Sequence, residues 1–175
     1  MIWLTQAQGK AMPKTTSSVI RLAKARDART IAELSRSQIE NELPWRWKPA
    51  RVKHHIRTTD STVIVSESEN VLSGFAITSF ADTTAHISLL AVNPMFRRLG
   101  IATSLIRWIT LSCQVAGIGC IRLEVRVNNT GAIECYANLG FQMVGIRKGY
   151  YEGREDAQLM TLMLISSDRE ARRPK

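Results

Sequence analysis

Residues 97–103, Arg-Arg-Leu-Gly-Ile-Ala-Thr, have the types and spacing of an anion cradle. Arg97-x-x-Gly100-x-Ala102 is a basic turn of small residues leading into a stretch with helical apolar spacing. The free backbone N–H groups of a helix N-terminus, with the positive end of its dipole, take a phosphate or pyrophosphate. Gly100 and Ala102 matter because bulk there would hold the ligand's oxygens away from those donors. Further on, Glu124 stands between Arg122 and Arg126 at alternate positions, and Tyr136 follows on the next helical stretch. A glutamate can take a proton and a tyrosine can give one. The pattern equally makes Glu124 one of three charges on a solvated strand face, and Tyr136 an amphipathic residue whose ring fills core. Cys135 adjoins Tyr136, but His54, His55 and His86 lie in other segments, so the thiol lacks an evident base.

These residues need positioning, and the apolar periodicity says by what. Strands are predicted over 19–23, 62–67, 72–81, 86–92, 120–127, 141–146 and 158–165. Helices are predicted from Asp27 as cap to about Glu42, over 50–57, over 101–116, and from Asn129 or Thr130 to Leu139. Leu43-Pro44-Trp45 breaks the first helix, because proline disfavours helix at the preceding residue. The phosphate turn thus lies between the strand ending at Asn93-Pro94 and a long helix. Arg147–Asp156 reads as the loop joining the last two strands. The fold class is α/β: a mixed, mostly antiparallel sheet of about seven strands flanked by four helices. Residues 1–17 read as a loose arm, 18–167 as one domain, and 168–175 as a charged tail.

The 175 residues suffice for a core without disulfides or metal, and 45% hydrophobic with 22% charged is ordinary for a globular domain. Cys113, Cys120 and Cys135 show no CxxC spacing and read as small residues of a reducing compartment. Nothing approaches a membrane span or a signal-peptide core, so a cytoplasmic protein with no membrane partner is expected. The net charge of +9 is uneven: residues 1–61 hold 12 Lys/Arg against 5 Asp/Glu, and residues 62–175 hold 12 against 10. That basic first third suits a ribosome or a polyanionic ligand; scattered charges make no specific nucleic-acid site.

Together the motifs resemble the GNAT acetyltransferase superfamily, whose acyl-CoA pattern Gln/Arg-x-x-Gly-x-Gly/Ala is met by Arg97-x-x-Gly100-x-Ala102. Leu123-Glu-Val-Arg-Val-Asn-Asn-Thr-Gly-Ala-Ile-Glu-Cys-Tyr136, Leu139-Gly-Phe141, Gly149-Tyr-Tyr151 and Gly153-Arg-Glu-Asp-Ala157 are similar to the RimI-type protein N-terminal acetyltransferases. The resemblance covers about residues 70–165 closely and 19–60 by pattern. It implies acetyl-CoA as acyl donor and the α-amine of a protein, including a ribosomal protein, as acceptor.

The resemblance also implies roles. Glu124 is the base for the amine, acting directly or through water, and Tyr136 the acid for the CoA thiolate. The pyrophosphate sits on amides of Arg98, Leu99, Gly100, Ile101, Ala102 and Thr103, with the guanidinium of Arg97 or Arg98 on phosphate. Leu90, Ala91 and Val92 offer the oxyanion donor and a free edge for the pantetheine amides, and Asn128 hydrogen-bonds the pantetheine arm. Tyr150 and Tyr151 line the acceptor path opposite Pro44 and Trp45; a buried aromatic pair is the competing reading of the tyrosines. The flanking arginines should depress the Glu124 pKa. Such a weak base suits an α-amine of pKa ~8 better than a lysine of ~10.4. The alternatives are transfer to a small-molecule amine, for which Glu152, Glu155 and Asp156 offer a modest acidic mouth, and a non-catalytic CoA-binding or ribosome-associated module.

Overall fold

The computed structural model describes residues 18–164; the expected arm over 1–17 and tail over 168–175 lie outside the described residues. Seven strands form one sheet: β1 (Val19–Leu22), β2 (Ser61–Ser68), β3 (Val71–Ala81), β4 (Thr84–Val92), β5 (Cys120–Arg126), β6 (Gln142–Tyr151) and β7 (Glu155–Met163). Their order is β1-β2-β3-β4-β5-β7-β6, and β4 with β5 is the parallel pair. Helices α1 (Ala28–Gln38) and α2 (Pro49–Arg57) cover one face; α3 (Ile101–Val115) and α4 (Thr130–Asn138) flank the other. The α/β class, strand number and four helices agree with the sequence reading. Among the described residues no helix is long and apolar enough to cross a membrane.

Two apolar layers sandwich the sheet. Ile101, Leu105, Ile106 and Ile109 of α3 pack with Ile121, Leu123 and Val125 of β5 and with Ala85 and Ile87 of β4. Ala28, Ile31 and Ala32 of α1 pack with Phe75 and Ile77 of β3 and with Leu89 and Ala91 of β4. Strand β4 therefore changes face midway. The cause is a bulge: Thr78 pairs with Ile87 but Ile77 with Leu89, leaving Ser88 as the extra residue. Gly74 of β3 permits the first turn of α3 to lie close, since a Cβ there would meet Ile101 Cγ2 at 3.0 Å and the Ala91 carbonyl at 3.1 Å.

Three local expectations are corrected. Helix α1 ends at Gln38, not near Glu42, because the buried Glu40 turns its carboxylate onto the following loop. The Asp27 side chain makes no cap bond to α1; it accepts from the Lys24 N–H at 2.6 Å and from Arg21, whose Nη1 lies 2.7 Å away. Arg147–Asp156 is no long loop. β6 and β7 continue to a tight turn closed by Arg154 N–H on the Tyr151 carbonyl. Asp156 accepts from the Gly149 N–H at 2.9 Å and pairs with Lys148 at 2.7 Å, filling the bulge between Arg147 and Tyr151.

Candidate active site

Strands β4 and β5 pair only from Thr84/Cys120 to Ile87/Leu123 and then part. Their divergence opens a cleft of about 1240 Å³, lined by β4, β5, the α3 entry, α4, the segment after α1 and the β6–β7 hairpin. Among the described residues no strand pairs with the β5 side of Ser88–Val92, so that edge offers its peptide groups to a ligand.

One end of the cleft is the α3 entry. Gly100 is the N-cap residue at φ 76°, and its carbonyl accepts from Ser104 N–H at 3.0 Å. The amides of Ile101–Thr103 precede the first intrahelical bond and are the free donors of the turn. A Cβ built on Gly100 meets nothing within 4 Å, and Gly100, Ile101, Ala102 and Thr103 all line the open cleft. Arg98 is also left-handed, at φ 64°, a conformation an arginine adopts only under constraint. Arg97 donates to the Gln38 side chain at 2.6 Å, which ties the turn to the end of α1. Arg107, one face further along α3, adds a cation to the same wall. A pyrophosphate fits this end: free amides, three guanidinium groups and open space.

At the other end Glu124 of β5 and His86 of β4 meet, Oε2 to Nε2 at 2.6 Å. Ser88 Oγ lies 3.3 Å from His86 Nδ1. The Glu124 carboxyl is held below its ordinary range, first by the hydrogen bond from His86, with the charge of Arg147 adding to it, against burial. The depression expected from the sequence is present, but its cause is different. Arg126 is committed elsewhere, to Glu155 at 2.5 Å, the Ile39 carbonyl at 3.2 Å and the face of the Tyr151 ring. Arg122 is exposed.

Tyr136 of α4 keeps its ring in the α3–α4 core, tilted against Phe141 at 5.7 Å, and lines the cleft. Burial pushes its phenol well above the usual value, so it stays protonated at any working pH. Tyr150 and Tyr151 stand edge to face at 5.0 Å on the cleft wall. Burial raises both, Tyr151 to about 12. Opposite them the loop after α1 is tied down by Glu40, which accepts from Arg46 N–H at 2.7 Å, Trp47 N–H at 3.1 Å and Ser35 Oγ at 3.1 Å. Arg46 Nη2 then reaches Glu152 Oε1 at 2.6 Å, joining loop to hairpin.

The model of the acetyltransferase (GNAT) family matches residues 23–141 of the chain. The chain belongs to that family. It is similar to the [ribosomal protein bS18]-alanine N-acetyltransferase of Salmonella typhimurium, 31% identical over 134 residues, 69% of this chain and 90% of the relative. The N-alpha-acetyltransferase RimI of Mycobacterium tuberculosis is 30% identical over 129 residues, 71% of this chain and 78% of its own length. Among solved structures, the ribosomal-protein-S18-alanine N-acetyltransferase from Escherichia coli superposes with a TM-score of 0.74 at 26% identity, covering 86% of this chain and 96% of that one. The protein is an N-acetyltransferase of the RimI-type group, and its acyl donor is acetyl-CoA.

Within this GNAT cleft most residues predicted from sequence come together: Leu90, Ala91, Val92, Arg97, Arg98, Gly100, Ile101, Ala102, Thr103, Glu124, Tyr136, Pro44, Tyr150 and Tyr151 all line it. Three do not. Leu99 is exposed, with its side chain outside the lining. Asn128 is also exposed and off the lining; its neighbour Asn129 lines the cleft and caps α4 by accepting from Ala132 N–H at 3.2 Å. Trp45 packs against the α1–α2 core under Arg36, and Trp47, with Arg51 stacked 4.2 Å over its ring, is the wall instead. The Glu40 carboxylate, by catching the amides of Arg46 and Trp47, sets how the loop presents Trp47 to the cleft. Sequence reasoning missed His86, Glu40, Arg46 and Trp47.

Proposed function

We propose that the chain acetylates the N-terminal α-amine of a protein, a ribosomal protein among its candidate acceptors, in the cytoplasm. The observation that carries this reading is the single cleft with an anion cradle at one end and the Glu124–His86 pair, Tyr136 and the two hairpin tyrosines at the other. Acetyl-CoA, held by the α3 amides with Arg97, Arg98 and the free edge of β4, supplies an activated acetyl carbon. Glu124 with His86 receives the ammonium proton. The amides at Leu90–Val92 supply donors for the carbonyl oxygen as charge develops. Tyr136 offers its proton to the departing sulfur. Its raised pKa makes that transfer uphill in isolation, but a thiolate buried in the same cleft is desolvated too, so the difference is what counts. Cys135 lines the cleft but bonds to no imidazole among the described residues, which supports direct transfer.

An α-amine of pKa ~8 is about one-tenth neutral at pH 7, whereas a lysine of ~10.4 is neutral only to a few parts in ten thousand. A weak carboxylate-imidazole base matches the former. A cationic small molecule would need an acidic mouth, yet Glu152, Glu155 and Asp156 are each paired, to Arg46, Arg126 and Lys148. The basic first third favours approach to a polyanionic assembly such as the ribosome. Turnover of acetyl-CoA against peptide N-termini, lysine-containing peptides with blocked N-termini, and polyamines tests the reading. Highest kcat/KM on free peptide N-termini is expected; preference for polyamines or blocked lysine peptides would sink it.

A further inference from the structure

Glu124 and His86 share one proton-handling position, and the geometry decides between them. An ionised carboxylate only accepts, so His86 Nε2, 2.6 Å from Glu124 Oε2, must carry the hydrogen. In the neutral ring Nδ1 is then bare, and the Ser88 hydroxyl donates to it across a long 3.3 Å contact that an incoming group can displace. The His86 side chain is 39% exposed against 18% for Glu124, so the imidazole is the member more open to the cleft. The bulge at Ser88 places the hydroxyl beside Nδ1, where the sheet divides. Carboxylate, imidazole and open nitrogen thus stand in the order in which a carboxylate orients a histidine base.

We infer that His86, not Glu124, takes the acceptor's proton at Nδ1, and that Glu124 acts through it by fixing the tautomer and stabilising the imidazolium. This rests on the acetyl-transfer reading above. Two protons leave the acceptor nitrogen as its lone pair forms the N–C bond and the C–S bond breaks. One passes to Nδ1 and on to solvent; the CoA sulfur takes the Tyr136 proton, and the other nitrogen proton restores that phenol. A reference imidazole, pKa ~6.5, lies nearer an α-ammonium of ~8 than a reference carboxyl of ~4.3 does, so less is lost in the transfer. Glu124 itself lies below its ordinary range. Around the pair stand Arg122 and Arg126 of β5, Arg147 and Tyr150 of β6, and Glu40 and Arg51 from the α1–α2 side of the cleft; Ser79, opposite His86 on β3, does not titrate. Glu124 is therefore a positioning residue in this assignment.

The test is kcat against pH at saturating acetyl-CoA, with a peptide N-terminus that the wild type acetylates. His86→Gln keeps a donor toward Glu124 but offers no base. It should lower kcat by about a hundredfold or more, leave KM for acetyl-CoA unchanged and lose the acid limb of the profile. Added imidazole should restore part of the activity to His86→Ala. Glu124→Gln should cost less, about tenfold. The assignment is overturned if His86→Gln stays within threefold of wild type or keeps its acid limb while Glu124→Gln loses a hundredfold. A second readout needs no substrate: ¹⁵N NMR of the full chain should show His86 protonated at Nε2 and bare at Nδ1, with that preference lost in Glu124→Gln. The opposite tautomer overturns the assignment even if the wild type acetylates no amine, a result that would end the broader reading separately.

Discussion

The donor wall of the cleft is one continuous stretch, Leu90 through Thr103, in which strand, turn and helix entry follow each other along the chain. The acceptor wall is gathered from the loop after α1, His86, Glu124 and Arg126, and the β6–β7 hairpin. Its ties are long in sequence: Arg126 to Ile39, Arg46 to Glu152, His86 to Glu124. The two also differ in what holds them. Among the described residues the α3–α4 layer buries no charged side chain, while the α1–α2 side relies on the buried carboxylates of Asp27 and Glu40. A wall made by local backbone geometry is rigid and general; one made by long-range polar ties can be retuned for a new acceptor by exchanging side chains.

The largest expected effect lies on the donor wall. Gly100→Val places a β-branched residue at φ 76° and puts bulk into the open cleft that Gly100 and the α3 entry line. Acetyl-CoA affinity measured by calorimetry should fall by a factor on the order of a hundred or more, a few kcal/mol. Unchanged affinity would remove the turn as the anion site. Tyr136→Phe comes next, at the seam between the walls. The hydroxyl has no hydrogen-bond partner among the described residues and the ring packs in the core, so Tm should hold while kcat drops about a hundredfold. If kcat holds as well, Tyr136 is packing alone.

The contrast between the walls also explains what could be read from the sequence. Local rules suffice where neighbours in sequence are neighbours in space: the Arg97-x-x-Gly100-x-Ala102 turn, the helix after it and the alternation of β5 were all legible. The tight β6–β7 turn was not, because the bulge opposite Asp156 spoils the alternation of Arg147–Tyr151. Choosing Trp45 over Trp47 failed for a related reason. Which tryptophan faces the cleft is set by Glu40 catching the amides of Arg46 and Trp47, and no periodicity records that. His86 was invisible as a partner of Glu124 because the two lie 38 residues apart and meet only through the parallel pairing of β4 with β5.

A third, smaller effect separates the layers. Glu40→Ala strands two backbone N–H groups and should cost about 1–3 kcal/mol of stability. KM for the acceptor should rise about tenfold while acetyl-CoA affinity is kept. Acid should act in the same direction. Asp27 is held below its ordinary range, chiefly by the hydrogen bond from Arg21. Its stabilising contribution is therefore full above the unfolded value of ~3.9 and lost as pH falls through the lower folded value. Amide hydrogen exchange below pH ~4 should show α1 losing protection before α3. Simultaneous loss would mean that the two layers open as one unit.

The smallest expected effect is the most diagnostic of how the acceptor is held. Arg46 and Glu152 are 64% and 34% exposed at their side chains, so the pair should add less than about 1 kcal/mol to stability. Arg46→Ala should lower Tm by no more than about 2–4 °C, the most that about 1 kcal/mol moves a domain of this size. Yet this pair alone bridges the Glu40-anchored loop to the turn after Tyr151 among the described salt bridges. Losing it should raise KM for the peptide acceptor a few-fold, leave KM for acetyl-CoA alone, and mimic the effect of raised salt on the wild type, since exposed pairs are screened. Glu152→Ala should give the same change, and the double variant no more than either single one, because both remove the same contact. Additive losses would mean that each side chain touches the acceptor independently, which would make the mouth a recognition surface in its own right and not a clasp between two loops.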